Sequence, residues 1–246
     1  MYVTILKKLW IIYIMKLKFL YIFLLLCHCV NAREIVVSLT HFPPYVDKTI
    51  AGHGIYPKYI SKFFKEQGHT VKFNFVPYAR ILKNIEDTSH RGFTVLSKRT
   101  MSQMSHNQSL YKSTIFDEVN YCTFYKKSKF PSGVPYEGGN GIRGLPMIVF
   151  LKGPINKYLK KFKNKTFKVT SFEGAMKMLD KERASIFVSA EVIGRYYIDK
   201  LGLTEKIGCS PFPLEEHVMI VTPNKNLAKK FLKPLNRYIK RKNGKQ

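Results

Sequence analysis

Strand-like and helix-like segments take turns along the chain from Ile35 to Ile239, and that order leaves few architectures open. Ile35 to Leu39 reads as a buried strand, closed by the loop Phe42-Pro43-Pro44-Tyr45. Tyr56, Tyr59, Ile60, Phe63 and Phe64 recur at helical spacing, with Gly68 where a helix-terminating glycine belongs. Val71, Phe73 and Phe75 alternate with Lys72 and Asn74, which predicts a strand. Ala79, Ile81, Leu82 and Ile85 predict a second helix, and Phe93 to Leu96 another strand.

The second half repeats the scheme. Met147 to Phe150 is a strand ending in Lys152-Gly153-Pro154; Tyr158, Leu159 and Phe162 belong to a helix, and Phe167 to Val169 to a short strand. Ser171 is placed to cap a helix carrying Ala175, Met176, Met178 and Leu179, with Glu173 in its first turn. Ile186 to Val188 is a strand and Val192 to Leu201 a helix; Val218 to Val221 and a helix with Leu227, Phe231, Leu235 and Ile239 complete the chain. The alternation predicts an α/β protein with largely parallel sheets. The Pro- and Gly-rich stretch from Pro131 to Gly141 reads as a loop inside a compact protein.

The first 32 residues have a different character. Lys16 and Lys18 precede an apolar run from Phe19 to Val30, and Val30-Asn31-Ala32 supplies the small residues of a peptidase site. This is the pattern of a cleavable secretory signal, cut after Ala32, and Met15 to Ala32 alone has its full layout. The lysines divide the apolar material into pieces shorter than a membrane span needs, and neither Cys27 nor Cys29 follows the small residue of a lipid-anchor site. Export leaves Cys122 and Cys209 in an oxidising compartment, where they either pair or stay as buried free thiols.

The net charge is +26, from 42 Lys and Arg against 16 Asp and Glu. Such a balance attracts anions, but the lysines are spread over every predicted helix and no nucleic-acid-binding motif accompanies them, so nucleic acid is not an expected partner. The sequence has no Gly-x-Ser-x-Gly, no His-Glu-x-x-His, no phosphate-binding loop and no close cysteine–histidine cluster. Residues 139–144, Gly-Asn-Gly-Ile-Arg-Gly, spell a dinucleotide-binding pattern but follow a loop and run into a strand, which is the wrong context. These observations turn the reading from catalysis toward binding.

Four segments, in order, carry a resemblance to the family 3 extracellular solute-binding proteins, the polar amino-acid receptors of ABC importers. Ser38-Leu39-Thr40-His41-Phe42-Pro43-Pro44-Tyr45 resembles their first strand and loop, and Phe75-Val76-Pro77-Tyr78-Ala79-Arg80-Ile81-Leu82 is similar to their Phe-x-Pro-Trp-x-Arg segment. Val95 to Thr100 resembles the strand end and loop that meet the solute carboxylate, and Lys177 to Ala184 the helix end before the second lobe's ligand-facing strand. The resemblance implies two α/β lobes, each a mixed sheet flanked by helices, with a ligand cleft and hinge strands between them. It divides the chain into a signal peptide (1–32), the first part of lobe 1 (33–122), lobe 2 (123–210) and a return to lobe 1 ending in a helix (211–246). Both Cys122 and Cys209 then fall near the hinge.

By the same resemblance the chain is a monomeric periplasmic subunit that catalyses nothing and needs neither cofactor nor metal. It captures a small polar solute, such as an amino acid, for an ABC permease in the inner membrane. The implied ligand-binding residues are Phe42, Tyr45, Tyr78, Ser97, Arg99, Thr100, Gly153 and Glu191. Three departures from the family pattern stand out. Gln103 occupies the place of the carboxylate-binding arginine, Ala190 that of the ammonium-binding aspartate, and Gly153-Pro154-Ile155 replaces a Gly-Thr-Thr turn. Arg99 and Glu191 are the substitute poles that the sequence offers. Two other readings fit the same fold: a periplasmic enzyme of the dehydratase or lyase kind, and an envelope-binding protein with a degenerate cleft.

Overall fold

The computed structural model describes residues 10, 14–16, 18, 33–87, 89–104, 109–150 and 155–244. The signal-peptide reading of residues 1–32 and the Gly153 position lie outside the described residues, apart from the few named near the start. No helix among the described residues is long and apolar enough to cross a membrane.

Among the described residues nine strands form one hydrogen-bonded sheet, eight of them along a single path. They are β1 (Glu34–Leu39), β2 (Thr70–Phe75), β3 (Gly92–Ser97), β4 (Tyr111–Lys112), β5 (Asp117–Lys126), β6 (Met147–Phe150), β7 (Thr166–Val169), β8 (Ile186–Ala190) and β9 (Ile207–Thr222). Their order is β2-β1-β3-β9-β5-β8-β6-β7, with β4 paired to β9. Pairings are parallel at each end, among β2, β1 and β3 and among β8, β6 and β7. They are antiparallel through the middle, where β9 and β5 run between the two halves. The expected largely parallel sheets are therefore found only at the two ends. Every strand that touches a crossing strand meets it running the other way, so the two mixed sheets merge into one path.

Each half is built from βαβ units, whose crossovers need a helix. In the first half α1 (Ile55–Glu66) and α2 (Tyr78–Glu86) link β1, β2 and β3, and a single turn of helix, α3 (Lys98–Ser102), follows β3. The second half carries α4 (Asn156–Leu159), α5 (Phe172–Asp180) and α6 (Glu191–Lys200), and α7 (Lys225–Asn243) returns to the first. Local chemistry sets these boundaries. Gly68 ends α1 at φ 74, a conformation that costs glycine little. The Ser171 hydroxyl accepts the Gly174 N–H at the start of α5. Helix α7 docks through Phe231 on Phe64 and Tyr238 on Phe63, with ring centroids 5.2 and 5.4 Å apart.

The second half has its own apolar nucleus of Phe124, Ile148, Met176, Leu179 and Phe187, closed over by α6. Gly194 brings α6 against β5 because the Phe124 ring occupies the space that a Cβ would need. Phe124 is fully buried and has nowhere to retreat. Gly194→Ala is expected to cost about 1–3 kcal/mol by overpacking, read as a lower urea midpoint.

The crossing strands are tied twice. Cys122 on β5 and Cys209 on β9 form a disulfide, with Cα atoms 5.6 Å apart and a sequence separation of 87. In the ladder Cys122 faces Pro211 and Cys209 faces Phe124, so the bridge runs diagonally across the Thr123–Ser210 rung that separates them. Further along, the register shifts: Asn120 pairs with Glu215 but Tyr121 with Phe212, leaving Pro213 and Leu214 without partners on β5. This bulge stands between the disulfide-linked segment and the β9 residues that join β3.

Candidate functional site

A cavity of about 310 Å³ lies where the two halves face each other across β5 and β9. That volume is at the small end of the roughly 300–1,000 Å³ that ligand pockets occupy. Its walls come from three sources. The first half supplies the β1 loop (Thr40, Phe42, Tyr45), Tyr56 of α1, Tyr78 of α2, and Ser97 and Thr100 after β3. The crossing strands contribute Val119, Tyr121, Glu216 and Val218. From the second half come Phe150, Asn156, Phe172 and the β8 end at Val188, Ser189 and Ala190. Most of this surface is aromatic or aliphatic, with hydroxyls spaced around it.

The β1 loop curls back on itself, with Phe42 and Val46 exchanging backbone hydrogen bonds of 2.9 and 3.2 Å. That turn places Phe42, Tyr45 and Tyr56 in one ring cluster, the Tyr45 and Tyr56 centroids 4.8 Å apart. Tyr56 donates its hydroxyl to Asp117 at 2.8 Å. On the opposite shoulder, Ser97 accepts the Thr100 N–H and so caps α3, while the Thr100 hydroxyl lies 2.7 Å from Tyr78 Oη and 3.0 Å from Ser97 Oγ. This short hydroxyl relay fixes side chains that would otherwise be free to rotate.

Burial pushes the Tyr45, Tyr56, Tyr78 and Tyr121 hydroxyls above the ordinary phenol value. Neighbouring carboxylates add to this: Asp117 and Glu191 at Tyr45, Asp117 at Tyr56, and Glu216 at Tyr78 and Tyr121. All four stay neutral at physiological pH and serve as hydrogen-bonding groups. Burial also raises Asp117, against the hydrogen bonds from Tyr56 and the Glu118 N–H that lower it.

The eight residues proposed from sequence divide in three ways. Phe42, Tyr45, Tyr78, Ser97 and Thr100 lie on the cavity wall. Gly153 lies outside the described residues. Arg99 and Glu191 do not line the cavity. Arg99 gives its backbone N–H and its Nε–H to the two oxygens of Glu216, at 2.9 and 3.0 Å, and borders a separate groove with Lys157 and Tyr158. Glu191 opens α6 and is engaged by Arg195 at 2.8 Å, beside the disulfide. Cys122, Cys209 and Glu191 come together closely enough to form a metal-like cluster, but both sulfurs are spent in the bridge. The wall residues that sequence reasoning did not single out include Tyr56, Tyr121, Phe150, Phe172 and Glu216. Glu216 is buried at 5% exposure, which sets it apart as an acid in the structure, but its place between Glu215 and His217 gave no such signal in the sequence.

No family model and no curated protein sequence matches the chain. Solved structures do. A histidine kinase sensor domain with similarity to periplasmic binding proteins superposes with a TM-score of 0.67 at 17% identity, over 87% of this chain and 93% of that one. The GluR0 ligand-binding core from Nostoc punctiforme, in complex with L-glutamate, gives 0.66 at 17% identity over 85% and 94%. An ancestral arginine-binding protein bound to arginine gives 0.64 at 15% identity over 85% and 91%. Together with the two halves, the crossing strands and the cavity between them, these likenesses show that the chain has the two-lobed fold of the periplasmic binding proteins.

Proposed function

We propose that this chain is a periplasmic solute-binding protein, the capture subunit of an ABC importer, which holds a small polar solute in the cleft and presents it to an inner-membrane permease. The observation that carries the reading is the cavity of about 310 Å³, walled by both halves and by the strands that connect them. A site built in this way couples occupancy to the angle between lobes, because the bound molecule contacts both. The solved neighbours that hold glutamate and arginine support a small polar ligand.

The lobes divide at the crossing strands, residues 33–122 and 211–246 forming one and 123–210 the other, with 1–32 as the export signal. In support, β1 to β3 and α7 gather on one side of β5 and β9, and β6 to β8 on the other. The protein acts as a monomer and without a cofactor. It turns nothing over: among the described residues Glu216 is the one carboxylate on the cavity wall, and Arg99 holds both of its oxygens.

Native mass spectrometry of protein purified from its own host tests the reading. A retained small molecule, released on denaturation and absent from a cleft-blocked variant, is the expected result. Conversion of that molecule by the purified protein would move the assignment to an enzyme. A second reading, a sensory ligand-binding module, has the sensor-domain likeness in its favour. Solute-dependent association with a permease in reconstituted membranes separates the two.

A further inference from the structure

We propose that the cleft selects a small organic cation, an amine or quaternary ammonium on an apolar or aromatic body, without a free carboxylate. The proposal rests on the solute-binding reading and narrows its substrate class.

In a chain with 42 basic and 16 acidic residues, the one charged residue on the cavity wall among the described residues is an acid. Glu216 lines it with a side chain only 6% exposed. Arg99 takes one hydrogen-bonding direction on each of its oxygens, and a carboxylate has about four such directions in all, so acceptor capacity is left toward the cavity. Asp117 stands directly behind Tyr56, bonded to its hydroxyl, and makes no ion pair among the described residues. Arg99 is turned to its own groove, and no cation lines the cavity among the described residues.

Aromatic rings supply the rest. Phe42, Tyr45, Tyr56, Tyr78 and Tyr121 surround the space next to these two acids, and ring faces attract ammonium groups when water is excluded. Carboxylates behind and beside tyrosines strengthen that field. The overall charge of +26 does not oppose it at this range, because salt screens distant surface charges within about 8 Å. A free amino acid would bring a carboxylate into this largely apolar space beside Glu216, where burial of an unpaired anion is costly. An amine of the same shape would not.

Calorimetric titration of the purified protein with 2-phenylethylamine, tyramine and choline tests the proposal, with 2-phenylethanol and L-phenylalanine as the neutral and carboxylated counterparts. At least one amine is expected to bind about tenfold or more tightly than either counterpart. Glu216→Gln should weaken the amine by about tenfold and leave 2-phenylethanol within about twofold. Asp117→Asn is the second variant, should loss of the Arg99 contact disturb folding, and is expected to shift the same ratio in the same direction. Equal or tighter binding of the alcohol or the amino acid, or no binding of any amine, overturns the proposal. If a neutral or zwitterionic solute binds and Ala190→Trp removes it, the solute-binding reading survives while the cation preference falls. If no probe binds and no solute is retained from the host, both fall.

Discussion

Replacing Cys122 and Cys209 together with alanine is expected to lower the unfolding free energy by about 4 kcal/mol. The bridge closes a loop of 87 residues, and a cross-link of that span removes much of the freedom of the unfolded chain. For a protein of this size the loss corresponds to a melting temperature lower by roughly 8–16 °C. Burial adds to the entropic part, since Cys122 is 1% exposed and packs with Phe124 and Ile148. Thermal and urea unfolding of the oxidised protein against the double variant measures the difference. Equal midpoints would mean that the two sulfurs do not bridge in solution.

Ala190→Trp is expected to abolish solute binding, lowering affinity by about 100-fold or more, while the fold survives. Ala190 ends β8, is buried, and belongs to the wall of the cavity. Its side chain makes no helix-capping bond to α6, so nothing is lost there on substitution. An indole at this position enters space that is already open, which spares the packed core the strain that enlargement normally brings. The outcome is two-sided: retained or titrated solute disappears, and the melting temperature moves little. Unchanged binding would place the solute elsewhere on the molecule. Collapse of the fold would show that the cavity has no room at β8.

Much of the architecture could be read from the chain because its repeating units obey local rules. The strand Met147 to Phe150 is a continuous apolar run, and the helix capped by Ser171 has both its cap and its buried stripe in sequence. The crossing strands could not be read in the same way. The segment Ile207–Thr222 contains Pro211 and Pro213 and the acids Glu215 and Glu216, which argue against a strand by local preference. It is a strand because β3 and β5 flank it, a fact of tertiary pairing. The same limit explains the site. Phe42, Tyr45, Tyr78, Ser97 and Thr100 follow strand ends, where the positional rule for α/β proteins directs attention. Tyr56 and Tyr121 sit inside a helix and a strand, where a tyrosine looks like core. Arg99 followed the positional rule too, but Glu216, 117 residues away, draws it aside, and no spacing in the sequence announces that pair.

The unpaired Pro213 and Leu214 have a mechanical consequence. On one side of them the two crossing strands are riveted by a covalent bond; on the other, β9 is held fast between β3 and β5. A bulge bends its strand, so Pro213 and Leu214 are the place on β9 where a change of angle between the halves would be taken up. A receptor gripping both halves would read the presence of cargo as a change of angle alone.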